Sequence, residues 1–254
     1  MLRSVKDLRG RPIAAVDGEI GKTDDFLFDD SMWIVRYLVA DVGGWLENRK
    51  VLISPVALGE PRQVAFDVNL TKEQIEKSPD IDTAKPISRQ QEERLRAYYG
   101  WPVYWEGSAV LGTEPVIPVP PGGENVQQRR EQEDRARQTG EADESPRNLR
   151  SVRAVSGYHI GATDGELGHV SDFIADDQQW HLRYLVVDTR NWLPGKKVLV
   201  SPEWVKEIEW AGAKVYLDIT REQVKNAPEY DSTAPVNREY EEVLYDYYGR
   251  PRYW

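Results

Sequence analysis

The chain has 254 residues, no cysteine, 9 tryptophans and a formal net charge of −10. The absence of cysteine excludes disulfides, thiolate zinc sites, iron–sulfur clusters and cysteine nucleophiles, and the acidic charge disfavours a protein that coats nucleic acid or an anionic bilayer. No apolar run approaches the roughly 20 residues of a transmembrane helix, so we expect a soluble, cytoplasmic protein.

Short strands separated by turns dominate the start of the chain. The dipeptide Asp17-Gly18 tolerates the positive φ angles of a hairpin turn, so it is expected to join two strands. The run Trp33–Val42 is apolar on nearly both faces, which is typical of a buried strand. The predicted strands are Ile13–Val16, Glu19–Phe28, Trp33–Val42, Lys50–Ile53 and Gln63–Val68.

Two helices are predicted after these strands. The sequence from Thr71 to Gln74 fits a capping box, which opens a short helix that Pro79 ends. A second helix is predicted over Ser88–Tyr99, because Gly100 suits the left-handed position after a helix and Pro102 prevents its continuation. The aromatic residues beyond this helix are expected to fold back onto the strands.

The whole pattern occurs twice. Leu2–Leu58 aligns without a gap with Leu149–Val205, where about half of the residues are identical, and Thr71–Trp105 aligns with Thr220–Trp254. A unit of this length matches a small autonomous domain. The chain is therefore divided into a first copy, 1–105, a linker, 106–148, and a second copy, 149–254.

The linker between the copies differs from them in composition. Residues 106–148 contain no aromatic residue and are rich in proline, glycine, glutamine and charge, so they are expected to remain flexible. Such a length permits the copies to pack together but does not require it. Packing of one copy on the other, within a chain or between chains, therefore stays open.

The first copy carries the run GEIGKTDDFLFDDSMWIVRYLVAD, the second carries GELGHVSDFIADDQQWHLRYLVVD, and both continue into a strand that ends in Ser-Pro. These motifs resemble the PRC-barrel family, which includes the cytoplasmic barrel of the photosynthetic reaction centre H subunit and the C-terminal barrel of a ribosome maturation factor. The resemblance covers about half of the chain. It implies a mainly β fold of two small antiparallel PRC-like barrels, each with a short C-terminal helical extension.

Two arginines lie in the middle of predicted strands, between apolar neighbours. A buried arginine requires a carboxylate partner, and an anion-binding role is the alternative. Ion pairs with residues of the same copy are the favoured interpretation. The expected pairs join Arg36 to Glu19 or Asp41, and Arg183 to Glu166 or Asp188.

Two tryptophans follow the long strands, in loops that also carry basic residues. A loop tryptophan beside a cation is a plausible protein contact, although the ring is also able to close the open end of a barrel. The candidate interaction surface consists of Trp45, Arg49 and Lys50 in the first copy and Trp192, Lys196 and Lys197 in the second.

No metal or cofactor site is predicted. The acidic residues around Asp24 and Asp29 lack EF-hand spacing, and turn formation is the favoured explanation for them. His159, His169 and His181 occur only in the second copy, without further ligands at metal-binding spacing.

These features favour a non-enzymatic protein-interaction or scaffold module whose protein partner the sequence does not name. One alternative is an accessory of a photosynthetic or membrane electron-transfer complex, associated peripherally with the membrane. Another is a ribosome-maturation factor, which would act through ribosomal proteins, since no segment of the chain is basic and no direct nucleic-acid contact is expected. An enzyme is the least favoured class.

Overall fold

The computed structural model describes residues 1–43, 49–59, 64–82, 87–104, 149–189 and 196–254. Within these ranges the fold is mainly β, with two sheets and a few short helices. No helix in the described ranges is long and apolar enough to cross a membrane. The predicted linker, 106–148, lies outside the described residues, as does Trp105.

The first copy supplies six strands. They are β1 (Leu2–Ser4), β2 (Pro12–Ala15), β3 (Gly18–Asp29), β4 (Ile34–Asp41), β5 (Lys50–Ile53) and β6 (Phe66–Asp67). Five of them form a sheet in the order β5-β4-β3-β2-β6, in which only the β2–β6 pair is parallel. The hairpin at Asp17-Gly18 is confirmed, whereas the predicted strand Gln63–Val68 is reduced to β6 among its described residues.

The second copy supplies seven strands in the corresponding arrangement. They are β7 (Leu149–Ser151), β8 (His159–Ala162), β9 (Gly165–Asp176), β10 (Leu182–Asp188), β11 (Lys197–Val200), β12 (Val205–Glu209) and β13 (Lys214–Leu217). The sheet order is β11-β10-β9-β8-β13-β12. The described strands of both sheets thus form open paths, and β12 is an addition that the sequence analysis did not predict.

Six helices accompany the sheets in the described ranges. They are α1 (Val5–Leu8), α2 (Lys72–Glu76), α3 (Arg89–Tyr99), α4 (Val152–Val155), α5 (Arg221–Asn226) and α6 (Arg238–Tyr248). The predicted capping boxes at Thr71 and Thr220 are confirmed, because each threonine accepts from the backbone of the glutamine three residues later. Gly100 and Gly249 end α3 and α6 in the left-handed conformation, at φ 70° and 61°.

The first strand of each copy pairs with the sheet of the other copy. β1 pairs with β9, where Leu2 lies opposite Asp176, and β7 pairs with β3, where Leu149 lies opposite Asp29. The helices that follow them, α1 and α4, pack against the same foreign strands. The two copies therefore exchange their N-terminal strands, an arrangement that the sequence analysis did not predict.

Aspartates of β3 and β9 hold the exchanged segments. The Ser4 hydroxyl donates to Asp172 over 2.5 Å, and the backbone N–H of Lys6 donates to the same carboxylate over 3.0 Å. In the reciprocal contact, the Ser151 hydroxyl and the backbone N–H of Arg153 donate to Asp25. Part of the acidic sequence run thus serves strand exchange, beyond the turns to which we attributed it.

One large apolar cluster spans both copies, and a second, smaller cluster around Tyr37 and Leu95 lies in the first copy. Phe26 stacks on Trp180 with 5.7 Å between the ring centroids, and Phe28 contacts Phe173 at 6.0 Å. The backbones meet where Val35 donates to the carbonyl of Trp180, and Leu182 donates to the carbonyl of Trp33, each over 2.8 Å. The copies therefore pack on each other within the chain, which settles a point that the sequence left open.

Candidate functional site

The basic residues of the predicted interaction surface make contacts within their own fold. The Arg49 guanidinium donates to the carbonyls of Glu76 and Ser78, and the Lys196 ammonium donates to those of Lys225 and Ala227. These equivalent residues fasten the segment that follows α2 or α5 to the neighbouring strand.

Of the remaining residues of that surface, the two lysines lie in described parts of the structure and the two tryptophans do not. Lys50 pairs with Asp24 over 2.8 Å, and Lys197 is the first residue of β11. Trp45 and Trp192 lie outside the described residues. The loop-tryptophan surface therefore stays a prediction.

The mid-strand arginines pair with different carboxylates from those we expected. Arg36 lies 3.7 Å from Asp29, and Arg183 lies 3.8 Å from Asp176. Asp41 follows Arg36 by five residues in β4, and Asp188 follows Arg183 by five residues in β10. In a strand, such a separation places the carboxylate far from the arginine and on the other face of the sheet. Glu19 and Glu166 lie near the opposite ends of β3 and β9 from Asp29 and Asp176, so both expected pairings are corrected.

A buried glutamate fastens the C-terminal tail of each copy. In the first copy, Glu92 of α3 accepts hydrogen bonds from Tyr37 over 3.0 Å and from Tyr104 over 2.6 Å. In the second, Glu241 accepts from Tyr184 and Tyr253, both over 2.7 Å. The predicted return of the aromatic tail onto the strands is therefore confirmed for the described residues.

Arginines cover the tail tyrosines. Arg36 lies 4.0 Å above the ring of Tyr104, and Arg183 lies 4.3 Å above the ring of Tyr253. Burial is the main cause that lowers the pKa of Arg36, and the charge of Asp29 opposes this effect. Burial also raises the pKa of Glu92, which the hydrogen bond from Tyr104 opposes.

The first copy contains one more cation than the second at this cluster. Arg96 of α3 donates to the Tyr37 hydroxyl over 3.0 Å and lies 4.4 Å above the Tyr104 ring. Tyr245 occupies the equivalent position in the second copy, where it contacts Tyr184 and Trp204 edge to face. The Tyr104 ring thus lies against two guanidinium groups.

An open cleft of about 1050 Å³ lies where the two copies meet. We call it the junction cleft and define it by Arg3, Arg36, Val56, Phe66, Tyr104 and Trp180. Phe66 and Trp180, one from each copy, are each only 7 % exposed and form its apolar floor. Val56 is 56 % exposed and lies at its edge.

The surface around Arg150, on the other side of the junction, corresponds to the junction cleft but is covered by the chain itself. Arg150 is the equivalent of Arg3, and the Trp210 ring lies 3.9 Å from its guanidinium. Trp210 follows β12, the strand added in the second copy, and also contacts Tyr158 edge to face. The pseudo-symmetric copies therefore differ at the junction cleft.

Sequence reasoning did not find this cleft, because its residues come from distant parts of the chain. The available signal was a set of differences between the aligned copies, such as valine at 56 against glutamate at 203. An alignment of the copies records such differences without showing that they share one surface.

The three histidines are not brought together. His159 and His169 lie opposite each other on β8 and β9, whereas His181 forms a β-bridge to Ile34 at the junction. Within the described ranges, no group of three histidine, aspartate or glutamate side chains is arranged to hold a metal ion.

Comparisons with known proteins add no assignment to this geometry. No protein-family model matches the chain, and no curated protein matches it. The site is therefore interpreted from its own residues.

Proposed function

We propose that the chain is a non-enzymatic protein-interaction or scaffold protein, built from two small, mainly antiparallel PRC-like barrels with short C-terminal helical extensions. The PRC-like sequence motifs support this assignment, as does the equivalent strand order of the copies, β5-β4-β3-β2 and β11-β10-β9-β8. The partner is a protein that binds at the junction cleft.

The junction cleft is the observation that carries the proposal. Its floor is packed into the common core through Phe66 and Trp180, whose rings are 6.0 Å apart, so the surface is held in a fixed shape. An apolar centre bordered by arginine and tyrosine is the composition at which protein partners bind most strongly. Residues of both copies are needed to form the junction cleft, so the duplication and the strand exchange both contribute to the proposed binding surface.

Site-specific photo-crosslinking in the native cell tests the proposal. A benzoylphenylalanine replaces Val56 at the edge of the cleft, and in a matched control it replaces Val16, which is 66 % exposed and does not line the cleft. We expect one discrete protein adduct from position 56 that is absent from position 16. Equal adducts from both positions, or none from position 56, would refute a protein-binding role for the cleft.

A further inference from the structure

We propose that the junction cleft binds an acidic peptide segment of the partner protein, with one of its carboxylates placed beside Arg36. This inference rests on the proposed function and specifies the chemistry of the partner. The segment would supply to the first copy a carboxylate that the second copy carries within its own chain.

The carboxylate in the second copy is Glu203. It belongs to the short 3₁₀ turn Pro202–Trp204, and the charge of Arg183 opposes the rise in the pKa of Glu203 that burial causes. Arg183 is thus within electrostatic reach of both Glu203 and Asp176.

The equivalent turn in the first copy, Pro55–Ala57, carries Val56 where the second copy has Glu203. Arg36 has Asp29 at 3.7 Å as the counterpart of Asp176, but valine provides no second carboxylate on this side. The valine side chain is exposed at the edge of the cleft. The first copy therefore has room, and one carboxylate fewer beside its arginine, at the point where the second copy has its own glutamate.

The charges that line the cleft favour an anion. Among its described lining residues the only carboxylate is Asp177, which pairs with Arg3 over 2.6 Å. Arg36 and Arg96 face the cleft from the Tyr104 wall, and each one's charge lies near the other's, since Arg96 contributes to lowering the pKa of Arg36. Glu92 already offsets part of this repulsion, and a carboxylate beside Arg36 would reduce it further. The local positive charge contrasts with the net charge of −10 of the whole chain, so it is a property of this surface.

The floor of the cleft adds a second requirement. Among the residues that define the junction cleft, Val56 supplies the most exposed apolar side chain, at 56 %, whereas Phe66 and Trp180 are each only 7 % exposed. An extended peptide places alternate side chains on the same side, about 7 Å apart. A segment with an acidic residue two positions away from a large aliphatic residue therefore places both side chains on the side that faces the arginine and the floor.

A pair of synthetic peptides tests this chemistry on the full chain. The probes are a fluorescein-labelled, end-blocked hexapeptide of sequence Glu-Glu-Leu-Leu-Glu-Glu, which has glutamate and leucine on each side when extended, and the same peptide with glutamine for glutamate. We expect saturable binding of the acidic peptide by fluorescence anisotropy, at least tenfold weaker binding of the glutamine peptide, and weakening by salt. Equal binding of both peptides would overturn the proposal.

Two matched variants locate the binding. Val56→Glu gives the first copy the residue of the second, and we expect it to weaken binding of the acidic peptide at least tenfold. Val16→Glu adds the same charge at an exposed valine outside the cleft and is expected to leave binding unchanged. Circular dichroism spectra of both variants establish that they fold. Folded Val56→Glu that binds like the wild type would contradict the placement beside Arg36.

The two experiments fail in different ways. If position 56 crosslinks to a discrete protein but neither peptide binds, the acidic chemistry is wrong and the interaction function stands. If position 56 gives no adduct, both proposals are wrong. If the adduct at position 56 is a second copy of this chain, the acidic partner is replaced by self-association.

Discussion

The two sides of the junction between the copies begin from nearly the same sequence and end as different surfaces. On one side, Trp210 covers Arg150, and Glu203 lies within reach of Arg183. On the other, Arg3 and Arg36 line a cleft that remains open beside Val56. A duplicated fold thus keeps its common core and differs in whether the chain itself covers the surface or leaves it open.

The largest expected effect tests whether the cores are equivalent. Gly21 and Gly168 have φ of 145° and 142°, and a Cβ at either would lie 2.0 Å from the carbonyl oxygen of Asp41 or Asp188. We expect Gly21→Ala and Gly168→Ala each to lower the free energy of unfolding by about 3–5 kcal/mol, because the neighbouring strand must move. Urea unfolding measures this loss.

The control for these variants is Gly10→Ala. Gly10 also has a positive φ, 78°, but a Cβ there would meet nothing within 4 Å. Only the backbone strain remains, so we expect a loss of about 1–2 kcal/mol. Clearly unequal losses at Gly21 and Gly168 would show that the two cores are not equivalent.

A smaller effect separates the two buried glutamates. Glu92→Gln keeps the shape but removes the charge that faces Arg89 at 3.4 Å and the buried Arg96. We expect a loss of about 2 kcal/mol in the free energy of unfolding, because the buried guanidinium loses its counter-charge, and this outweighs the gain from removing a carboxylate whose pKa burial raises. Within the described residues, Glu241 forms its ion pair with the half-exposed Arg238, over 3.2 Å. We therefore expect Glu241→Gln to lower the free energy of unfolding by about 1 kcal/mol. Equal losses from chemical denaturation would remove Arg96 as the cause of the difference.

The smallest expected effect is a pH dependence specific to the second copy. Burial, aided by the charges of Arg183 and Arg36, lowers the pKa of His181 from 6.5 to about 4. The unfolded chain therefore takes up a proton at a higher pH than the folded chain, so stability is complete above pH 6.5 and falls as the pH decreases towards 4. With allowance for solvent screening of this half-buried ring, the loss is about 1–2 kcal/mol.

His181→Ile places in the second copy the residue that its counterpart, Ile34, provides in the first. Urea unfolding at pH 7 and pH 4.5 should show a smaller acid-induced loss in this variant than in the wild type. His159→Gln, at an exposed position, should keep the wild-type loss. A His181→Ile variant with an unchanged pH profile would assign the acid sensitivity to other groups.

Local structure was predictable because neighbouring residues determine it. The Asp17-Gly18 hairpin, the capping box at Thr71 and the end of α3 at Gly100 each depend on a few adjacent residues. The strand exchange was not predictable, because Leu2–Ser4 and Leu149–Ser151 have the same sequence, LRS. Either strand has the same sequence to offer to its own sheet and to the other sheet, so the residues of the strand contain no preference.

The sequence analysis missed the observed ion pairs of Arg36 and Arg183 and the junction cleft for related reasons. Arg36 lies beside an irregularity in the β3–β4 register, between Leu27 and Phe28, and such a shift changes which carboxylate a side chain reaches. The cleft depends on the exchange as well, because Arg3 reaches it from β1, which pairs with β9 of the other copy. Both features depend on long-range geometry that residue spacing does not encode.

The strand exchange also has a consequence for how the sequence is free to change. Two identical chains that exchanged these strands would form a twofold-symmetric dimer, and every substitution would occur on both sides at once. Joining the copies in one polypeptide removes this constraint. Position 56 is then able to change without position 203, so one carries valine and the other glutamate. The same molecule has a covered surface at Arg150 and an open junction cleft.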